Sequence, residues 1–212
     1  MEVLFMIKVK NIQVHGFEAA VRGMRNPLES WSRSDSVGET VGDADLELMR
    51  KLYKAGTEHR KYLRMITVTM DVTAPLYWWK EEETYRVGTA SNSCSTMHKL
   101  TAKKFELQDF SFDKIDIYDM RASRAAYGVV EVLNEYRDAY LKETDETKKK
   151  KLWYTMIQLL PSSYNQKRTL FMNYEVVMNI INQRSGHKLD EWNEFVKIIF
   201  NLPYIAEIRG EI

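Results

Sequence analysis

Hydrophobic and polar residues follow one another along this chain at spacings that name its elements. Val3, Phe5, Ile7 and Val9 share one parity within residues 3–14, separated by charged or polar neighbours, and predict a first strand. The run "NPLESWSRSDSVGETVGDAD" is rich in Pro, Gly, Ser and Asp and reads as a loop. Asp43 or Asp45 is placed to cap a helix through "LELMRKLYKAG", with Gly56 as its stop. "RMITVTMDV" alternates Ile66, Val68, Met70 and Val72 and is the clearest strand signal in the chain. Pro75 suits the first turn of a helix through "LYWWKEEETYR", which Gly88 interrupts.

Farther on the spacing turns helical. Ala126, Val129, Val130, Leu133 and Tyr136 recur every three or four residues and predict an amphipathic helix from Ala122 to Lys142. Lys148 to Lys151 read as a solvated helix start, because no aromatic residues interleave with them as a phosphate-binding patch would need. "LWYTMIQLL" predicts a short helix ending near Pro161. A long helical region is expected from near Leu170, in "LFMNYEVVMNIINQR", and another from near Leu189, in "LDEWNEFVKIIF", before Pro203. No repeat or low-complexity linker breaks the chain. The mixture predicts an α+β fold with helices in the majority, and 212 residues favour a single domain spanning 1–212.

Charge narrows the partners. With 31 Lys plus Arg against 30 Asp plus Glu, no global field draws the chain to nucleic acid or an anionic membrane, so an anionic ligand must be held by local groups. No apolar run reaches about 18 residues, so neither a transmembrane helix nor a signal peptide is expected. The single cysteine excludes an internal disulfide and a Cys-based zinc site, which together favour a cytoplasmic location. His15, His59, His98 and His187 stand too far apart for a metal-ligand motif, so no metal is expected.

Two stretches carry candidate chemistry. "YRVGTASNSCSTMHK" concentrates hydroxyls, amides and the only thiol. Ser91, Asn92, Ser93, Ser95 and Thr96, with their backbone N–H groups and Gly88 for close approach, can bind an anion or a ring edge; a capped turn satisfied by its own hydroxyls is the competing reading. Cys94 could act as a thiolate nucleophile on carbon 6 of a pyrimidine, with His98 one helical turn away to lower its pKa; a small packing side chain is the alternative. In "MNYEVVMNIINQR", Asn173, Asn179, Asn182 and Arg184 punctuate an apolar run where Asn is a poor helix residue, which suggests either ligand contact or interhelical hydrogen bonds. Trp78 and Trp79, beside Tyr77, are expected in the core, with at most one able to stack on a ring ligand.

The spacing of Leu160-Pro161, Asn173, Met178-Asn179, Asn182 and Arg184 resembles the C-terminal segment of the flavin-dependent thymidylate synthase family. Upstream, "AGTEHRKYLRMITVTMDVTAPLYWWKEEETYRVGTASNSCSTMHKL" is similar to that family's core region in length, strand, Ala-Pro and closing Lys-Leu. The resemblance covers about residues 12–100 and 150–200. It implies an oligomeric fold with an antiparallel sheet and long helices, a homotetramer, and FAD and a pyrimidine nucleotide bound between subunits. In the family, flavin reduced by NADPH helps transfer a one-carbon unit from methylenetetrahydrofolate to carbon 5 of dUMP. On this registration His59 is the flavin-proximal histidine, Arg86 the last Arg of an R-H-R that grips FAD phosphate, and Asn173 and Asn179 flavin contacts. Asn92, in the same loop, joins the flavin set. Arg184 is the Arg that polarises the pyrimidine, stabilising negative charge on the ring.

The chain also departs from the family pattern. Thr84 and Tyr85 replace the first Arg and the His of R-H-R, Cys94-Ser95-Thr96 stands for a Ser-x-Arg, and Ile157 replaces an Arg before Leu-Pro. These changes remove much of the charge-assisted recognition of a phosphate dianion, and Glu81 to Glu83 would repel one. The expected function is FAD-dependent, thymidylate synthase-like modification of a pyrimidine deoxynucleotide. The alternatives are another pyrimidine modification such as hydroxymethylation, and a non-catalytic nucleotide-binding or interaction protein that retains the fold.

Overall fold

A computed structural model describes residues 7–116 and 118–211. The fold is α+β, with one four-stranded antiparallel sheet in the order β1-β2-β4-β3: β1 is Lys8–His15, β2 Thr67–Pro75, β3 Thr89–Ser93 and β4 Asn165–Asn173. β2 and β4 are the inner strands. The alternation expected in β2 is present, with Val68, Met70, Val72 and Ala74 buried on one face. β1 covers only the later part of its expected span; Val3 and Phe5 lie outside the described residues. Within β1 the parity breaks at Asn11, whose φ of 54° places Val9 and Val14, five residues apart, on the half-buried side.

The expected helix near Leu170 begins later. Leu170 and Met172 are buried on alternate positions of β4, with Phe171 exposed between them, and the helix α7 runs Tyr174–Arg184. A short apolar run of this kind reads equally well as strand or helix, and pairing in the sheet decided it. The polar stretch after Gly88 is likewise not a loop throughout, since residues Thr89–Ser93 form the edge strand β3.

The chain divides into two compact units. The first contains Thr73–Glu82 and Ser93–Arg168. Here α3 (Leu76–Glu82) places Trp78 and Trp79 fully inside, in edge-to-face contact at 4.9 Å, which makes them core residues. The Trp79 indole donates to the Gln166 carbonyl, and the Arg168 guanidinium lies 4.4 Å over its ring. After the short α4 (Thr96–Lys99), α5 (Met120–Lys142) and α6 (Glu146–Leu159) pack on a core of Leu100, Phe105, Phe110, Leu133 and Met156. Asp119 and Asp145 cap α5 and α6. Lys148 to Lys151 occupy the solvated start of α6, as expected.

The second unit contains Val9–Val72, Glu83–Asn92 and the chain from Thr169. It holds α1 (Phe17–Arg25), α2 (Asp43–Lys54), α7, α8 (Asp190–Phe200) and α9 (Ile205–Arg209). α1 lies in a stretch where the pattern anticipated no element. Neither Asp43 nor Asp45 caps α2. The cap position is Gly42, and the side chain that meets the first N–H groups comes from the loop, with Asp35 accepting from Ala44 N at 2.8 Å and Asp45 N at 3.1 Å. That leaves Asp45 to turn inward, fully buried, where it pairs with Arg25 at 2.5 Å.

Candidate functional site

Most of the residues singled out by sequence lie in the second unit. The turn after α2 carries His59, exposed, at the rim of a cavity of about 600 Å³, a volume typical of small-molecule sites. Met24, Leu48, Leu52 and Tyr62 give the cavity an apolar lining, and its charges are mixed, Arg33 and Lys61 together with Glu47 and Glu58. The next residue, Arg60, fastens this turn to the first turn of α7: its guanidinium stands 3.4 Å from Glu175 and 5.2 Å over the Tyr53 ring. Burial pushes the nearby Tyr62 phenol far above its ordinary value, so it is a neutral donor, to the Met49 carbonyl at 2.8 Å.

Asn173 is not inside a helix. It is the N-cap of α7, its Oδ1 accepting from Val176 N at 3.1 Å, which explains why an asparagine precedes so apolar a segment. Gly88 lies against it, with φ +83°, and a Cβ built there would stand 2.5 Å from Asn173 Nδ2. Only glycine allows that approach. Asn179 is half-buried in mid-α7, and Asn182, exposed on the same helix, accepts from Arg209 at 2.7 Å.

Arg184 closes α7, where a cation is favoured by the helix dipole. Its Nε donates to the Tyr85 hydroxyl at 2.9 Å, its Nη1 stands 3.0 Å from His187 Nε2, and its guanidinium lies 4.6 Å over the buried Trp192 ring. Tyr85, Trp192 and His187 around Arg184 were not foreseen; the only signal in the sequence was the three-residue interval from Arg184 to His187. Arg86 is exposed, its Nε donating to the Glu83 carbonyl at 3.1 Å, and the Thr89 hydroxyl donates to the Tyr85 carbonyl across the same turn. Glu83 lies just beyond α3, so the expected row of three helical carboxylates is reduced to Glu81 and a buried Glu82.

Along β3, Ser91 and Asn92 are exposed and belong to the second unit, while Ser93, Cys94, Ser95 and Thr96 belong to the first. Ser95 caps α4, accepting from His98 N at 3.2 Å, so the capped-turn reading holds for that residue. Cys94 is exposed and precedes α4, its N–H donating to the Lys167 carbonyl and its carbonyl accepting from Gln166. The helical relation expected to set His98 one turn from the thiol therefore does not form, because the helix begins only at Thr96.

The chain matches thymidylate synthase X (ThyX) from Helicobacter pylori, solved with FAD and dUMP, over 97% of its own length and 96% of that chain, with a TM-score of 0.67 and 18% identity. A second structure, of the flavin-dependent thymidylate synthase ThyX from Helicobacter pylori complexed with FAD and dUMP, matches over 98% of each chain at a TM-score of 0.68 and 18% identity. The chain has the ThyX fold. No family model matches it, and no curated protein does either. Among the described residues no helix is long and apolar enough to cross a membrane, and no group of three or more acidic, His or Cys side chains could hold a metal ion.

Proposed function

We propose that this ThyX-fold chain binds FAD and a pyrimidine deoxynucleotide and modifies carbon 5 of the pyrimidine. The single observation that carries the reading is the end-to-end match to a protein solved with both FAD and dUMP. Its residues fit a flavin in part. His59 lines a cavity of about 600 Å³ whose lining does not include Arg86, Asn92 or Asn179; the exposed Arg86 and Asn92 and the half-buried Asn179 would offer donors for a ring edge and one phosphate contact. Asn173 fits less well, since its amide oxygen caps α7 and its nitrogen abuts Gly88. A bound flavin would supply the redox chemistry of the reaction.

The chain's own residues would do the rest. Arg184, fixed at the end of α7, would hold the pyrimidine edge and stabilise charge developing on the ring. Ser91, Ser93, Cys94, Ser95 and Thr96 would offer hydroxyls, a thiol and backbone N–H groups to the nucleotide in place of the missing guanidiniums. The reading extends to NADPH as reductant, methylenetetrahydrofolate as carbon donor, a homotetramer and a cytoplasmic site of action.

A second reading, a nucleotide-binding protein without turnover, is favoured by one observation. Arg184 is engaged by the Tyr85 hydroxyl and the Trp192 ring, and Asn173 by its own helix, so two of the residues expected to serve ligands already serve the fold. The visible absorption spectrum separates the readings. A bound-flavin spectrum, bleached by NADPH and perturbed by dUMP, supports the enzyme; flavin that binds without being reduced supports the binder, and no flavin binding refutes the proposal. In an active protein Arg184→Ala abolishes turnover while FAD stays bound, whereas Asn179→Ala weakens FAD binding.

A further inference from the structure

We propose that Tyr85 is a positioning residue for Arg184, and that it orients the guanidinium that faces the pyrimidine. The inference rests on the proposed function for the ligand, but on geometry alone for the positioning.

Tyr85 and Arg184 are 99 residues apart in sequence and meet through a bond of 2.9 Å from Nε to the phenol oxygen. The phenol proton is committed elsewhere, because Tyr85 donates to Gln183 Oε1 at 3.0 Å. Arginine nitrogen can only donate and an amide oxygen can only accept, so the order of the three groups is determined: Arg184 N–H to phenol oxygen, phenol O–H to Gln183. A hydroxyl that both accepts from a cation and donates onward is polarised, and each bond strengthens the other. Two rings then form a corner around the guanidinium. Trp192, fully buried, lies 4.6 Å below it and the Tyr85 ring 5.5 Å away, and the two rings meet edge to face at 6.1 Å. A long side chain that would otherwise sample many rotamers is thereby held by a directional bond at Nε and by aromatic faces. A ligand that needs the guanidinium in one orientation binds without ordering it first. Tyr85 stands where the resemblance has the histidine of R-H-R, and its geometry gives that substitution a task in this chain.

The test uses full-length protein labelled with ¹⁵N-arginine. The Arg184 Nε–H resonance is assigned by its loss in Arg184→Lys, and its solvent exchange is compared between wild type and Tyr85→Phe, which keeps the ring and removes the acceptor. Exchange is expected to rise roughly tenfold or more in Tyr85→Phe, with dUMP affinity by calorimetry falling roughly tenfold, because the guanidinium must then be ordered on binding. In an Arg184→Lys background the Tyr85→Phe change is expected to add nothing, which a merely structural role for the tyrosine would not produce. Unchanged Nε–H exchange in Tyr85→Phe overturns the proposal, as does unchanged dUMP affinity, or an additive loss in the double variant. If wild type binds no dUMP, the proposed function fails, and the exchange comparison still decides whether Tyr85 fixes Arg184. Should Tyr85→Phe not fold, Gln183→Met, on an exposed side chain, removes the onward acceptor and is expected to raise the same exchange rate; no change there counts against the proposal.

Discussion

Replacing Asp45 by alanine removes the carboxylate that pairs with Arg25 and ties down Ser34, Asp35 and Ser36 in the loop before α2. Asp45 is fully buried and Arg25 is 5% exposed. The carboxylate accepts from Arg25 Nε at 2.5 Å, from the Ser34 and Ser36 hydroxyls at 2.6 and 2.7 Å, and from the backbone N–H groups of Asp35 and Ser36 at 3.1 and 3.2 Å. In Asp45→Ala an uncompensated guanidinium stays buried and two backbone donors lose their acceptor. Breaking a buried pair from one side costs about 3–5 kcal/mol, far above the ~1 kcal/mol of an exposed pair. For a chain of this size each kcal/mol lowers the melting temperature by roughly 2–4 °C, so the midpoint by far-ultraviolet circular dichroism should fall by roughly 6–20 °C. The same carboxyl makes the stability depend on acid. Burial, the strongest single influence, pushes its pKa up, but the Ser34 and Ser36 hydroxyls and Arg25 together outweigh it and hold the group below the ordinary carboxylate value. A lowered folded pKa means that the stabilisation is complete above the unfolded value of about 4 and is lost as pH falls through the lower folded value. In Asp45→Ala that acid-dependent part disappears. A midpoint shift below about 2 °C with an unchanged acid profile would refute the reasoning.

The remaining predictions concern the site and the core. Gly88→Ala introduces strain at φ +83° and a contact of 2.5 Å with Asn173 Nδ2, and should destabilise by more than about 1 kcal/mol in urea denaturation; a neutral result would mean that the turn can move away from α7. Asn173→Ala removes the α7 cap and should cost about 1 kcal/mol, whereas Asn173→Asp, which keeps the accepting oxygen, should restore most of it. Trp79→Ala should cost about 3–5 kcal/mol, because a fully buried ring, its bond to the Gln166 carbonyl and the Arg168 stacking all go together; retained stability in thermal melts would refute its place in the core. Cys94→Ser should leave the midpoint of thermal unfolding unchanged, since the thiol is exposed and the bonds to Gln166 and Lys167 are made by its backbone.

Much of this protein was legible one residue at a time. The alternation from Ile66 to Val72 and the helical spacing of Ala126 to Tyr136 returned as β2 and α5, because each pattern serves a single buried face and needs only local geometry. The resemblance carried by Asn173, Asn179 and Arg184 led to the right fold, although identity to the matching ThyX structures is only 18%. The sequence alone could not decide what each polar group is for. Asn173 proved to be a cap whose partner, Val176 N, is only three residues away, whereas Asp45, a buried anchor where a cap was expected, and Leu170, a strand residue, have roles set by partners farther along the chain such as Arg25. The setting of Arg184 is the clearest case. Its type and spacing were visible in the sequence, but the Tyr85 hydroxyl and Trp192 ring that orient it meet it only once the chain has folded. A hydrogen bond is directional and short-ranged, and no periodicity in a sequence records it.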